Sequence, residues 1–354
     1  MPTIDIRTCD ALRRCGRFDP SREGFPLHWS GSFLQALVTG TCLEIEIDCG
    51  YTAMKPYLSF EVDGLRAQTL CPLPGRHWYN VFLGLNGEKP HQVRVIRETQ
   101  PFVGDPEAFV TLLRLRTDGE VRPLPAPAHR LVFIGDSLTS GEGGRGPVSF
   151  LEWVPMVFCA SDNYARMTAD AMNAEYQVIS QSGWGVVGSW DNHPDCALPL
   201  IYDWAELPSG SAPWDFSFRP DHIIVALGAN DENAIAQPAW TDPATGKAFH
   251  LDGTAEAMAG YRDACAAFLR HLHEKDPQAR ITWIGLTDLR HVGPAIREAV
   301  AICRAEGLPV SWLEPLSGFR AQPRDSRGSR QHPGIGFHRR AAAQLAKALS
   351  ADEG

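Results

Sequence analysis

Four short segments carry residue types that can do nucleophilic chemistry. In Leu131-Val-Phe-Ile-Gly-Asp-Ser-Leu-Thr139, four apolar residues run into a glycine and a serine hydroxyl follows. A buried parallel strand that stops at a serine places it at the carboxyl edge of a sheet, where α/β folds put their chemistry. Ser137 can attack from there if a base reaches it and N–H donors face it. Pro220-Asp-His-Ile-Ile-Val-Ala-Leu-Gly-Ala-Asn230-Asp231 reads as a second buried strand, and Asn230 at its end can aim an amide N–H at a developing oxyanion. A third strand runs through Val178-Ile-Ser-Gln-Ser-Gly183-Trp-Gly185, where Gly183 lets a backbone N–H approach a substrate carbonyl closely. Gln331-His-Pro-Gly-Ile-Gly-Phe-His338 puts His332 in a loop just before a closing helix. Trp184 and Trp190 follow the Gly183 turn; Trp184 is the better candidate for a stacking surface.

The elements that must position these residues fall into two groups. From Leu34 to about Thr117 the chain alternates apolar and polar, as in Leu43-Glu-Ile-Glu-Ile47, Leu58-Ser-Phe-Glu-Val62 and His91-Gln-Val-Arg-Val95. Asp63-Gly64, Asn86-Gly87 and Asp118-Gly119 separate such runs as turns. This pattern predicts an antiparallel β-sandwich with one wet face over residues 1–120. Val121-Arg-Pro-Leu-Pro-Ala-Pro-Ala128, with prolines at alternate positions, reads as a stiff linker. Strand-like and helix-like stretches alternate over 129–354, which predicts a parallel sheet covered on both faces. Its strands are expected at Leu131–Ile134, Tyr176–Ser180, His222–Leu227, Ile281–Leu286 and Val310–Leu313. Met258, Tyr261, Cys265, Phe268, Leu269 and Leu272 recur at helical spacing. Pro294 suits a first helical residue and Gly307 a helix stop, while Phe337, Ala341, Leu345 and Leu349 line the closing helix.

Together and in this order, the four segments resemble the GDSL/SGNH hydrolase superfamily over residues 130–350. The resemblance assigns Ser137 as nucleophile, His332 as general base, and the N–H groups of Ser137 and Gly183 with the Asn230 side chain as the oxyanion hole. The sandwich ahead of them, and Trp214-Asp-Phe-Ser-Phe-Arg-Pro-Asp221, narrow the resemblance to the second family of carbohydrate esterases. It implies a three-layer, flavodoxin-like α/β domain preceded by a jelly-roll-like antiparallel sandwich. It also implies removal of acetyl groups from carbohydrate hydroxyls through an acyl-enzyme, with no metal or organic cofactor. The implied partner is a small acetylated carbohydrate or another short-chain ester.

One position departs from the superfamily pattern. An aspartate usually stands three residues before the catalytic histidine, and here Ser329 stands there. Three arrangements follow: a backbone carbonyl orients the imidazole, Asp325 folds back to it, or the enzyme is slow. Since some of these esterases work with a Ser–His dyad, the resemblance favours the carbonyl. Competing functions are a short-chain esterase, lipase or thioesterase acting on a non-sugar ester, an acyltransferase, and a carbohydrate-binding protein with a decayed esterase site. Asp136 and Asp231 read as braces for their turns, and Ser140-Gly-Glu-Gly-Gly-Arg-Gly146 as a mobile rim of the pocket.

Bulk composition narrows the partners. The chain has 354 residues, 44% hydrophobic and 21% charged, as in folded globular proteins. A net charge of −9 and a pI of about 5.7 argue against a nucleic-acid or anionic-membrane surface. No stretch approaches the roughly 20 apolar residues that span a bilayer. The nine cysteines read as reduced thiols, and the N-terminus shows no basic start or apolar h-region, so the expectation is a cytoplasmic protein. His271 and His273 lie on different faces of their helix and do not form a shared metal site. The oligomeric state is not legible.

Overall fold

A computed structural model of the chain describes residues 1–207, 212–314 and 327–351. Two antiparallel sheets form the first unit. One holds β1 (Thr3–Asp5), β10 (Phe109–Thr117), β5 (Cys42–Gly50) and β8 (Gly75–Leu83) in that order, with β3 (Phe25–Pro26) also on β10. The other orders β11 (Val121–Arg122), β4 (Phe33–Val38), β9 (His91–Arg97), β6 (Leu58–Val62) and β7 (Leu65–Leu70), with β2 (Arg13–Cys15) also on β4. The alternation seen in the sequence is the two-faced pleat of these strands: Leu43, Ile45 and Ile47 are buried against Leu34, Phe60 and Val93 of the facing sheet. The Asp63-Gly64 turn takes positive φ at both residues, the geometry of a tight hairpin between β6 and β7.

The linker expected from residue 121 begins two residues later. Val121 and Arg122 pair with Val38 and Leu37, extending the sandwich as β11. Both can join a ladder, and only at Pro123 does the chain lose its first N–H donor.

The second unit is built on five parallel strands in the order β13 (Ala174–Ser180), β12 (His129–Gly135), β14 (His222–Ala226), β17 (Arg280–Ile284) and β18 (Val310–Leu313). The outward jump from β12 to either neighbour makes the carboxyl end of β12 a topological switch point, the crevice in which open α/β sheets bind ligands. The hairpin β15 (Trp240–Thr241) and β16 (Ala248–Phe249) is an excursion from this unit. On one face, α4 (Ala255–Lys275) and α5 (Val292–Ala305) bury Tyr261, Phe268, Leu272, Ile296 and Val300 against Val132, Ile134, Val225 and Trp283. On the other, α2 (Tyr164–Ala171) and α6 (Ile335–Ala351) bury Tyr164, Phe337 and Leu345 against Leu131, Phe133 and Ile224. Among the described residues no helix is long and apolar enough to cross a membrane. Pro294 is the third residue of α5, not the first. A first-turn N–H has no intrahelical partner, so proline is tolerated there as well.

The two units share hydrophobic surface. Cys15, Phe33 and Ile96 of the sandwich belong to the cluster beneath α2 and α6, and Trp29 belongs to the cluster beneath α4 and α5. Trp29 is completely buried, and its indole Nε1–H donates to the Ala205 carbonyl at 2.8 Å.

Candidate active site

The strand β12 ends at Gly135, and Ser137 is the first residue of the short helix α1 (Ser137–Ser140). Asp136 caps that helix by accepting the Leu138 N–H at 3.0 Å. Burial raises the Asp136 carboxyl from its ordinary 3.8 to about 7, and the nearby Asp231 and Glu142 charges push in the same direction. Ser137 is only 7% exposed, with its hydroxyl 2.9 Å from His332 Nε2. The other ring nitrogen, Nδ1, lies 3.1 Å from the Arg330 carbonyl oxygen. A carbonyl can only accept, so Nδ1 carries the proton and Nε2 is left to accept from Ser137. This is the tautomer a general base needs, and a backbone oxygen sets it. Of the three arrangements considered for the imidazole, the observed contact is the first; Asp325 lies outside the described residues.

The loop around His332 is held by unusual backbone geometry. Arg330 and Gln331 both have positive φ, 50° and 64°, which non-glycine residues adopt at a cost. The Arg330 N–H donates to the Phe150 carbonyl at 2.9 Å, and the Ser329 N–H to the Gly143 carbonyl at 3.0 Å. Gly143, at φ 73°, cannot be another residue cheaply: a Cβ there would lie 2.7 Å from the Ser329 carbonyl oxygen and 3.1 Å from His332 Cβ.

Gly183 follows β13 in a turn with φ 82°, a left-handed conformation that suits glycine. Its carbonyl accepts the Trp190 N–H at 2.9 Å. The Ser182 N–H donates to the Gln100 side-chain oxygen at 2.8 Å, so a sandwich residue fixes the turn. Asn230 sits on α3 (Ala229–Ala234) and donates one side-chain N–H to the Trp184 carbonyl at 2.9 Å. That bond fixes the plane of the amide and commits one of its two donors; the oxyanion role requires the other. The buried Asp231 accepts from Val186 N at 2.9 Å and from Val187 N at 3.2 Å, tying α3 to the segment after Gly183. Burial raises its carboxyl to about 6. Asp136 and Asp231 therefore brace their turns.

Trp184 is half-buried and packs on the core beneath α4 and α5. Trp190 is the more exposed of the pair at 48%, and its ring edge stands over Gly183, 3.1 Å from where a Cβ would project. Exposure thus favours Trp190 over Trp184 as a surface on which a substrate ring could stack.

Other parts of the site were read differently in the sequence or missed there. The glycine-rich loop is no mobile rim: every residue from Ser140 to Gly144 is buried, Glu142 to 5% exposure. Arg145 reaches the buried Glu98 of the sandwich at 2.9 Å and Asp162 at 2.9 Å. Ser30 donates its hydroxyl to the Ser140 carbonyl at 2.7 Å, the last residue of α1. The signal available in sequence was the density of glycines in this loop, which reports close backbone approach without naming the partner.

Comparison with known proteins places this geometry. The model of the family described as "Carbohydrate esterase 2 N-terminal" matches residues 14–127. A solved acetyl xylan esterase (Est2A) from the rumen bacterium Butyrivibrio proteoclasticus superposes with a TM-score of 0.95 at 30% identity, covering 100% of both chains. A family two carbohydrate esterase from Clostridium thermocellum, solved with cellohexaose, has the same fold at a TM-score of 0.82 and 22% identity, covering 97% of this chain and 99% of that one. An acetylxylan esterase / glucomannan deacetylase of Cellvibrio japonicus is 31% identical over 199 residues, 54% of this chain and 48% of its own. The chain thus spans about half the length of that curated relative. The chain belongs to carbohydrate esterase family 2.

Proposed function

We propose that this protein removes acetyl groups from carbohydrate hydroxyls through an acyl-enzyme formed on Ser137. The 2.9 Å contact between Ser137 Oγ and a correctly tautomerised His332 is the observation that carries this reading. His332 Nε2 takes the Ser137 proton as Oγ attacks the acetyl carbonyl carbon. The resulting oxyanion faces the N–H groups of Ser137 and Gly183 and the second N–H of Asn230. Removing one such donor typically lowers turnover about 10²–10³-fold. As the tetrahedral intermediate collapses, Nε2 returns the proton to the departing sugar hydroxyl. Water, deprotonated by the same nitrogen, then releases acetate and restores Ser137.

An acetylated xylan or glucomannan fragment is the substrate class that the similar proteins support, since an acetyl xylan esterase and an acetylxylan esterase / glucomannan deacetylase are among them. The intact Ser137–His332 contact weighs against a decayed, binding-only site. Acetate release from acetylated sugars, with Ser137→Ala alongside, tests the proposal. Loss of at least about 10³-fold in Ser137→Ala is expected from the role of a nucleophile. Equal acetate release by both proteins, or a preference for octanoyl over acetyl esters, refutes it.

A further inference from the structure

Ser329 stands where an aspartate usually precedes the catalytic histidine, yet among the described residues a carboxylate is present beside the His332 ring. Glu142 Oε1 lies 3.8 Å from His332 Nε2. The same oxygen accepts from the Arg330 guanidinium at 2.8 Å. Glu142 is 5% exposed, so its charge is little screened by water. Its own backbone N–H donates to the Ser137 carbonyl at 2.9 Å, which ties it to the helix that carries the nucleophile. Arg330 is the residue whose carbonyl orients the ring. One residue therefore holds His332 with its backbone and Glu142 with its side chain.

We propose that Glu142 is the positioning carboxylate for His332, taking over the electrostatic part of the usual aspartate's work while the Arg330 carbonyl takes over the orienting part. Protonating Nε2 during attack creates a cation beside Glu142, and the attraction between them lowers the cost of that step. The carboxylate does not bind Nδ1 and does not select the tautomer. This inference rests on the reading of Ser137 and His332 as an esterase centre.

Among the described residues, charged and titratable groups near the ring come from several elements. Glu142 faces it from the glycine-rich loop and Arg330 from its own loop. Asp136 caps α1. His338 of α6 is buried and neutral, held down at about 4 by that burial and by the charge of His332. Arg145, close by, is already paired with Glu98 and Asp162.

Opposite-charge changes at the ion pair provide the test, with 4-nitrophenyl acetate hydrolysis followed from pH 5 to 9. Glu142→Gln keeps the shape and removes the negative charge. It should lower kcat about 10–100-fold with KM within about threefold, since the 10⁴-fold loss on altering a directly bonded triad aspartate includes a tautomer effect absent here. Its acidic limb should move to lower pH, because a cation at His332 is less favoured. Arg330→Asn keeps the carbonyl and tolerates positive φ, but leaves Glu142 unpaired, so its acidic limb should move to higher pH. Limbs that stay in place, or that move the same way in both variants, overturn the proposal even if stability falls. If Glu142→Gln does not fold by circular dichroism, the direction of the Arg330→Asn limb decides alone. Ser137→Ala separates the two ideas: full turnover there sinks the esterase centre, whereas an inactive Ser137→Ala beside a fully active Glu142→Gln sinks only the role of Glu142.

Discussion

Replacing Gln100 by alanine should damage catalysis from the opposite domain. Gln100 is a sandwich residue at 3% exposure, and its side-chain oxygen accepts the N–H of Ser182 at 2.8 Å, one residue before Gly183. Its own carbonyl is held by the buried Arg97 at 2.9 Å, so the side chain projects from a fixed base. Truncation leaves a partly buried N–H without its acceptor, at a cost of about 1–3 kcal/mol. That is a stability effect. The catalytic effect follows if the turn relaxes and the Gly183 N–H loses its alignment. Complete loss of one oxyanion donor costs about 10²–10³ in turnover, so a partial misalignment should cost about 10–100-fold in kcat with a small change in KM. Gln100→Glu retains the acceptor beside Arg97 and should recover most of the rate. Steady-state hydrolysis of 4-nitrophenyl acetate and a thermal melt on the same samples measure both quantities. A Gln100→Ala protein with a lowered Tm but kcat within about twofold of the parent would show that the sandwich braces the fold and not the oxyanion hole.

Two further outcomes follow from the site. Burial holds the Asp136 carboxyl at about 7 against an ordinary 3.8, so the folded chain binds that proton more tightly than the unfolded chain does. The resulting stability is complete below about pH 4 and is lost as pH rises through 7; the gap corresponds to roughly 4 kcal/mol. Asp136→Asn keeps an N-cap acceptor without the charge, so its Tm advantage over the parent should grow from pH 4 to pH 8, and a pH-independent difference would contradict this. Asp325→Ala should leave kcat within about twofold, because His332 Nδ1 already has the Arg330 carbonyl; a tenfold loss or more would make Asp325 the third catalytic member.

The parts of this protein legible in sequence are those fixed by local pattern. The five parallel strands fall where short apolar runs meet glycine or turn residues, and β18 (Val310–Leu313) coincides with its sequence reading. The candidate site residues Ser137, Gly183 and Asn230 lie at or just beyond strand ends, where α/β sheets deliver functional residues. His332 was legible as a loop residue before α6. The ends of elements were less so, since a helix can begin two residues before a proline and a strand can run up to one. Glu142 was hidden for another reason. A glutamate between glycines reads as solvated, and only pairing with Arg330, 188 residues later, brings it into the site. Gln100 and Ser182 are likewise 82 residues apart. No periodicity encodes such pairings.

These hidden residues bear on what the sandwich is for. An appended sugar-binding module would contact the catalytic unit through a small polar interface and a solvated linker. Here Ser30 holds the end of α1, Gln100 holds the Gly183 turn, and Glu98 holds Arg145 of the glycine-rich loop. The contacts reach the two loops that flank Ser137 and Gly183, and each sandwich partner is almost fully buried. Phe33 and Ile96 complete the hydrophobic cluster under α2 and α6, and fully burying a side chain such as Phe is worth about 1.5–3 kcal/mol. An α/β unit stripped of the sandwich would expose that cluster and free both loops at once. The sandwich therefore braces the loops that carry the candidate site, and substitutions on its inner face should register in turnover.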